Sequence, residues 1–372
     1  MNLVTAITGL PFVGKTTLFD LLTGQRLPTG TFAGAEAETN VGVAKVPDER
    51  LDRLVPLFRP KKITHAEITY RDLGLAKGGG EGLSAKKLGD LRTSDALLHV
   101  VRAFRDPSVP HPEGSVDPGR DLATLELELV IADHSVVERR LERIEPEIRG
   151  ARPGGEREAK ERERDLLRRC LEALDAERPL RDLELDAEEE KVLRGYRFLT
   201  QMPQLVVVNV DEADVRDPAR VLTPLREAAS RHRDTGVVHV CAKLEAEMAD
   251  LDPQEAAAFR EEAGLREPAL DRIVRATYAL LGLVSFFTVG PDECRAWTVR
   301  KGATAQQAAG EIHSDLERGF IRAEVVRWDD LLRAGGEAEA KKQALVKTMG
   351  REYPVEDGDV LHVLFSVGAH RG

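Results

Sequence analysis

The sequence predicts an α/β fold with a mostly parallel sheet, interrupted by an inserted helical hairpin and followed by a small α+β module. Three observations predict it. Short Val- and Leu-rich runs bounded by polar or turn residues alternate with helical stretches, the pattern of strands covered on both faces. A long charged segment with apolar residues at spacings of three and four breaks that alternation. Beyond about residue 284, paired short strands and one helix follow without the βα rhythm.

Leu3 to Thr8 is an apolar run that ends at a glycine and reads as a buried strand. A helix is expected from about Lys15 to Leu22, stopped near Gly24. Further strands are expected at Ala66–Asp72, Ala96–Val101, Leu205–Asn209 and Val237–Cys241. Between 121 and 202 the apolar stripe runs Leu122, Leu125, Leu129, Ala132 and Val136, then shifts register to Leu141, Ile144 and Ile148. After a Pro/Gly break at 149–156, Leu167, Cys170, Leu171 and Leu174 share one face of a second helix rich in Glu and Arg. That is an antiparallel helical hairpin, and the strand pattern resumes after it, so it is an insertion. The last region carries strands at Ser285–Val289 and Ala296–Val299 around a turn at Gly290–Pro291, one helix over 304–318 and a final strand over 360–367. The expected divisions are 1–120 and 203–284 for the two parts of the α/β domain, 121–202 for the hairpin and 285–372 for the C-terminal module.

Composition narrows the function classes. The 372 residues hold 54 Lys and Arg against 65 Asp and Glu, a net charge of −11. That argues against a protein held on DNA by bulk positive charge. The C-terminal module has 12 basic and 14 acidic residues, so any RNA contact there rests on local patches. Cys170, Cys241 and Cys294 have no paired spacing and form neither a disulfide framework nor a zinc motif. No apolar run reaches the ~18 residues that span a bilayer, and the first residues carry no basic leader. A cytoplasmic monomer without membrane attachment is the expectation.

Gly9 to Thr16, GLPFVGKT, fits G-x-x-x-x-G-K-[ST] between a strand and a helix. Glycines let main-chain amides turn around an oxyanion, and the helix N-terminus adds partial positive charge. The candidate phosphate contacts are Gly9, Pro11, Phe12, Val13, Gly14, Lys15, Thr16 and Thr17. Lys15 is expected at the β and γ phosphates and the Thr16 hydroxyl on Mg²⁺. Asp72, closing AEITYRD, is the second candidate on the metal side. The following loop is rich in glycine, with Gly74 the candidate amide for the γ-phosphate; a plain flexible linker is the alternative there.

GTP-specific proteins of this class carry Asn-Lys-x-Asp after a buried strand, the Asp accepting two bonds from guanine. Here Asn209 stands in place, Val210 replaces the lysine and Glu212 the aspartate. Glu is one methylene too long for the same bidentate geometry, and losing such a pair costs roughly 10⁴-fold in discrimination. Guanine selectivity is therefore expected to be weak or lost and adenine becomes acceptable, with Asp211 in a shifted register as the competing recognition residue. Cys241, Ala242 and Lys243 follow the last buried strand, where a second base-contacting loop belongs.

The chain resembles the YchF/Obg-like ATPase family of translation-factor-class P-loop NTPases. The residues that carry the likeness are GLPFVGKTTLFD, VGVAKVPDERLDRL, NVDE, and the C-terminal RAWTV, GATAQQAAGEIHSDLERGFIRAEV and DGDVLHVLFSV. The resemblance implies a G domain interrupted by a coiled-coil hairpin, then a TGS (ubiquitin-like) domain. It implies Mg²⁺-dependent hydrolysis of ATP to ADP in preference to GTP, slow here given the altered switches described below, and association with the ribosome or RNA. It also implies a water-handling histidine in the loop after the fourth G-domain strand, which falls on His111, in place of the glutamine of Ras-like enzymes. An imidazole suits that role at neutral pH. Three departures stand out. Phe12 occupies the usual loop asparagine, Glu36 replaces the magnesium threonine of the first switch, and Asp72-Leu73-Gly74 is one residue short in the second. Glu36 becomes a further candidate metal ligand. The departures leave two alternatives: a nucleotide-binding docking module with negligible hydrolysis, or a GTPase.

Overall fold

The computed structural model describes residues 3–25, 39–73, 84–265 and 267–366. Glu36, Gly74 and the glycines at 78–82 lie outside them, as does the end of the expected last strand. The first part runs β1 (Val4–Thr8), α1 (Lys15–Thr23), β2 (Asn40–Lys45), α2 (Glu49–Phe58), β3 (Lys62–Thr64), β4 (Glu67–Asp72), α3 (Ala85–Arg92) and β5 (Ala96–Arg102). Helices α4 (Pro118–Gly150), α5 (Gly155–Asp175) and α6 (Ala187–Arg194) intervene before β6 (Gln204–Asn209), α7 (Ala219–Ala229), β7 (Thr235–Val240), α8 (Ala242–Ala249), α9 (Pro253–Glu262) and α10 (Ala269–Leu280). The chain closes with β8 (Leu283–Thr288), β9 (Glu293–Arg300), α11 (Ala305–Ile312), α12 (Ser314–Arg318), β10 (Phe320–Arg327), α13 (Trp328–Ala334), α14 (Glu337–Lys342), β11 (Lys347–Met349) and β12 (Asp359–Phe365). Two compact units result: Val4–Gly42 with Thr69–Ile273, and Val43–Ile68 with Val274 onward.

In the first unit the sheet order is β2-β4-β1-β5-β6-β7. β1 pairs in parallel with β4 and β5, β5 with β6, and β6 with β7. All residues of β5 (ALLHVVR) and β6 (QLVVVN) are buried, as central parallel strands must be. The C-terminal ends of β1, β4, β5, β6 and β7 therefore gather at one edge, where parallel α/β sheets hold ligands.

The hairpin forms between β5 and β6. Pro118 starts α4 behind an Asp117 cap that accepts the amides of Gly119 and Arg120. The stripe changes partner along α4. Leu122 and Leu129 pack with sheet residues such as Val206 and Leu97, whereas Val130 and Val137 pack with Leu166, Leu167 and Cys170 of α5. The switch of face moves full burial to Val137, where the spacing had indicated Val136. Arg140 pairs at 2.8 Å with Glu147 of its own helix and at 2.8 Å with Glu163 of α5, and the second pair ties the two helices. At the root, Asp133 is fully buried; it accepts the amides of Leu199 and Thr200 and the Thr200 hydroxyl, and pairs with Arg92 at 2.9 Å.

The second unit is a mixed sheet, β11-β10-β12-β8-β9-β3, around Phe286, Val299, Ala308, Phe320, Val325 and Leu361. Short β3 adds in parallel to β9. Arg50 of α2 reaches Asp357 at 2.7 Å, and Asp357 also accepts the Ser285 amide. This placement of residues 43–68 comes from long-range pairing that no local pattern announces. The single helix expected over 304–318 is two helices. The break falls at His313, whose backbone is extended (φ −166°) and whose ring accepts the Asp315 amide, so it ends α11 and caps α12. The turn releases the chain into β10, a strand the sequence pattern missed.

Replacing Asp133 with alanine would strip the buried amides of Leu199 and Thr200 of their acceptor, while Arg92 keeps its bonds to the carbonyls of Arg197 and Ala132. Each buried amide left unmade costs about 1–3 kcal/mol; the loss is expected as a lower urea midpoint.

Candidate functional site

The segment from Gly9 to Gly14 wraps tightly because three of its residues take positive φ: Gly9 at 144°, Phe12 at 64° and Gly14 at 97°. Close approach also excludes side chains. A Cβ on Gly9 would lie 2.3 Å from the Val100 carbonyl oxygen, and one on Gly14 2.6 Å from Asn209 Nδ2. Gly14 then caps α1 with no side-chain bond, leaving first-turn amides of the helix for an anion. Pro11 carries no N–H, so of the expected phosphate contacts it can shape the loop but not donate to a phosphate.

Lys15 is buried, 8% exposed, and its Nζ donates to the Leu10 carbonyl at 2.7 Å across the loop. Burial lowers its pKa to about 8, against the opposing pull of Asp72. Thr16 Oγ1 donates to Asp72 Oδ2 at 2.9 Å. This hydroxyl–carboxylate pair at a helix N-terminus has the hard oxygen donors that magnesium takes. Among the described residues no group of three or more His, Cys, Asp or Glu could hold a metal ion.

An open cleft of about 490 Å³ adjoins the loop, and it brings together four stretches distant in sequence. Gly14 and Thr17, residues 209–213 and residues 241–243 line it, together with Phe104, Arg105 and Asp106. Asn209 braces it: Nδ2 donates to the Val13 carbonyl at 3.0 Å, and Oδ1 accepts the Ala242 amide at 3.0 Å. Val210 faces the core with Val101, Leu222 and Leu244, so its side chain contributes hydrophobic support to the cleft. Glu212 pairs with Lys243 at 2.6 Å across the two recognition loops. Asp211, the competing residue, accepts the Arg105 amide at 3.0 Å. Burial raises the pKa of the Cys241 thiol above its usual value.

His111 is engaged elsewhere. Its Nε2 is 2.9 Å from Asp121 Oδ2 and its Nδ1 accepts the Glu113 amide. With Nδ1 an acceptor, the proton sits on Nε2 and is donated to Asp121. The ring is 5% exposed and does not line the cleft. Phe104, Arg105 and Asp106 were expected only as the start of the loop that carries His111, not as lining of the cleft; the available signal was Arg102, a charge closing a buried strand.

The fold and this loop define a P-loop nucleotide-binding protein. Residues 283–366 match YchF-GTPase_C, a family described as a protein of unknown function (DUF933). The chain is 42% identical over 378 residues to the ribosome-binding ATPase YchF of Bacillus subtilis, covering 99% of this chain and all of that one. It is 40% identical over 370 residues to the protein of the same name from Escherichia coli O157:H7, again over 99% of this chain and all of the relative. The solved Schizosaccharomyces pombe YchF GTPase superposes with a TM-score of 0.85 at 31% identity, covering 98% of each chain. The chain belongs to the YchF family.

Asn209→Ala removes a bridge that serves two buried main-chain groups. A loss of about 2 kcal/mol in unfolding free energy is expected from denaturant titration, since each unsatisfied group costs about 1–3 kcal/mol.

Proposed function

We propose that the chain is a ribosome-binding, magnesium-dependent ATPase of the cytoplasm that prefers ATP to GTP and turns over slowly. The observation that carries this reading is the cluster of Lys15, Thr16 and Asp72 at a helix N-terminus beside the cleft. The names of the Bacillus and Escherichia relatives support the ribosome and the ATP. Loop amides and Lys15 bind and orient the triphosphate, so positioning and charge complementarity supply most of the rate. Thr16 and Asp72 would hold magnesium, which when bound neutralises charge on the phosphate oxygens. Glu212, extended by one methylene and tethered to Lys243, disfavours the paired contact that guanine needs. The hairpin of 121–202 and the module of 285–372 are the docking elements for the ribosome.

His111 orients water only after leaving Asp121. That engagement favours the second reading, a docking module that holds nucleotide with negligible turnover. Single-turnover hydrolysis of γ-labelled ATP, with and without ribosomes, separates the two. The ATPase reading expects Lys15→Ala and His111→Ala to fall at least about 100-fold below the unaltered chain, within the range for a general base. Background rates in all three chains, with ATP still bound by the unaltered one, leave the docking module. Absence of ribosome co-sedimentation at low salt in either nucleotide state removes the ribosome from the proposal.

The lowered Lys15 pKa gives a pH signature. A neighbouring phosphate favours the ammonium, raising its pKa above 8, so nucleotide binding takes up a proton where the free chain has lost it. At pH 8.5 a group of pKa about 8 is about three-quarters neutral, and uptake approaches that fraction. Calorimetry in buffers of different ionisation enthalpy reads it directly. Affinity weakens as pH rises above 8, and Lys15→Met shows neither effect.

A further inference from the structure

The loop between β5 and α4 is wrapped around one side chain. Arg102 is 2% exposed. Its Nε donates to the Phe104 carbonyl at 3.1 Å, Nη1 to the Pro110 carbonyl at 3.1 Å, and Nη2 to those of Asp106 and Val109 at 3.2 and 3.1 Å. The guanidinium carbon lies 4.3 Å from the centre of the Phe104 ring. Among the described residues Arg102 makes no ion pair; its hydrogen bonds go to main-chain carbonyls of this one loop. A planar fork with donors in fixed directions holds several carbonyls at once, which a lysine ammonium on a flexible stem does not.

The loop so held supplies one wall of the cleft, Phe104 to Asp106. The main chain of that wall also bonds the loop after β6: the amides of Ala103 and Phe104 donate to the Asn209 carbonyl, and that of Arg105 to the Asp211 carboxylate. The recognition loop after β6 therefore meets a surface whose shape Arg102 sets from behind.

We infer that Arg102 is a positioning residue for base recognition, fixing Phe104–Asp106 as the wall against which the purine is selected. This rests on the nucleotide-binding reading above. Arg102 lines neither the phosphate loop nor the cleft, and its loop reaches the phosphate loop only through Asn209, so its loss acts on the base more than on the triphosphate.

The test compares Kd for ATP and UTP, both with magnesium, in the unaltered chain and in Arg102→Lys, with circular dichroism and thermal melting as checks on the fold. The expected result is a preference for ATP in the unaltered chain. In Arg102→Lys, ATP weakens about tenfold or more, in line with the cost of small misplacements in a shaped site, while UTP changes less than about threefold. The preference then collapses although the triphosphate still binds. Equal weakening of both nucleotides, an undiminished preference, or an unaltered chain that binds ATP and UTP alike overturns the inference. Loss of the native fold in both Arg102→Lys and Arg102→Met also overturns it, marking Arg102 as a residue of the fold alone. An unaltered chain that binds no nucleotide defeats the underlying reading instead, and is recognised before any variant is made.

Discussion

The side-chain amide of Asn209 is the joint on which the site depends. A nucleotide-binding edge of a parallel sheet is made of loops from separate strands, each free to drift unless something ties them. One planar group here donates to the phosphate loop at Val13 and accepts from the start of α8 at Ala242. It is buried, where both bonds are costly to leave unmade. Gly14 must be a glycine partly because this side chain comes so close to it. The loop of residues 9–14 and the start of α8 are thus tied into one structure.

Two more buried polar groups extend the same logic away from the phosphate. Arg102 organises the loop after β5 through main-chain carbonyls. Asp133 fastens the hairpin root to the turn at Leu199–Thr200 and to Arg92. Neither is needed to form a hydrophobic core, and each would be costly there without partners. Each instead gives an irregular segment a single arrangement, which apolar packing alone specifies less sharply. The hairpin shows the contrast. The apolar stripe of α4 serves the sheet in its first turns and α5 thereafter, so one helix bridges two cores while Asp133 marks the crossing.

Much of the fold was legible from periodicity. The five strands expected in the α/β part fall within a residue or two of β1, β4, β5, β6 and β7, and the hairpin break at 149–156 separates α4 from α5. These are segments whose burial is encoded locally. β2 and β3 were not anticipated; β3 is three residues long and is defined only by its pairing to β9. Residues 304–318 look helical throughout, and only the extended backbone at His313 divides them. In the candidate site, Thr16 bonds Asp72 and Lys15 bonds the Leu10 carbonyl across the loop. Phe104, Arg105 and Asp106 carry no motif, and their place in the cleft follows from the loop's path.

By itself the sequence determined the phosphate loop, since glycine spacing, lysine and hydroxyl are chemical requirements that a linear string displays. It also determined the alternating α/β order and the inserted hairpin, both read from the period of apolar residues. Tertiary structure alone decided which side chains were already occupied. His111 is bonded to Asp121, Glu212 is paired with Lys243, and Asn209 spans two loops. Hydrogen-bond partners distant in sequence compete for the same few atoms, and that competition is settled only where the chain brings them within reach.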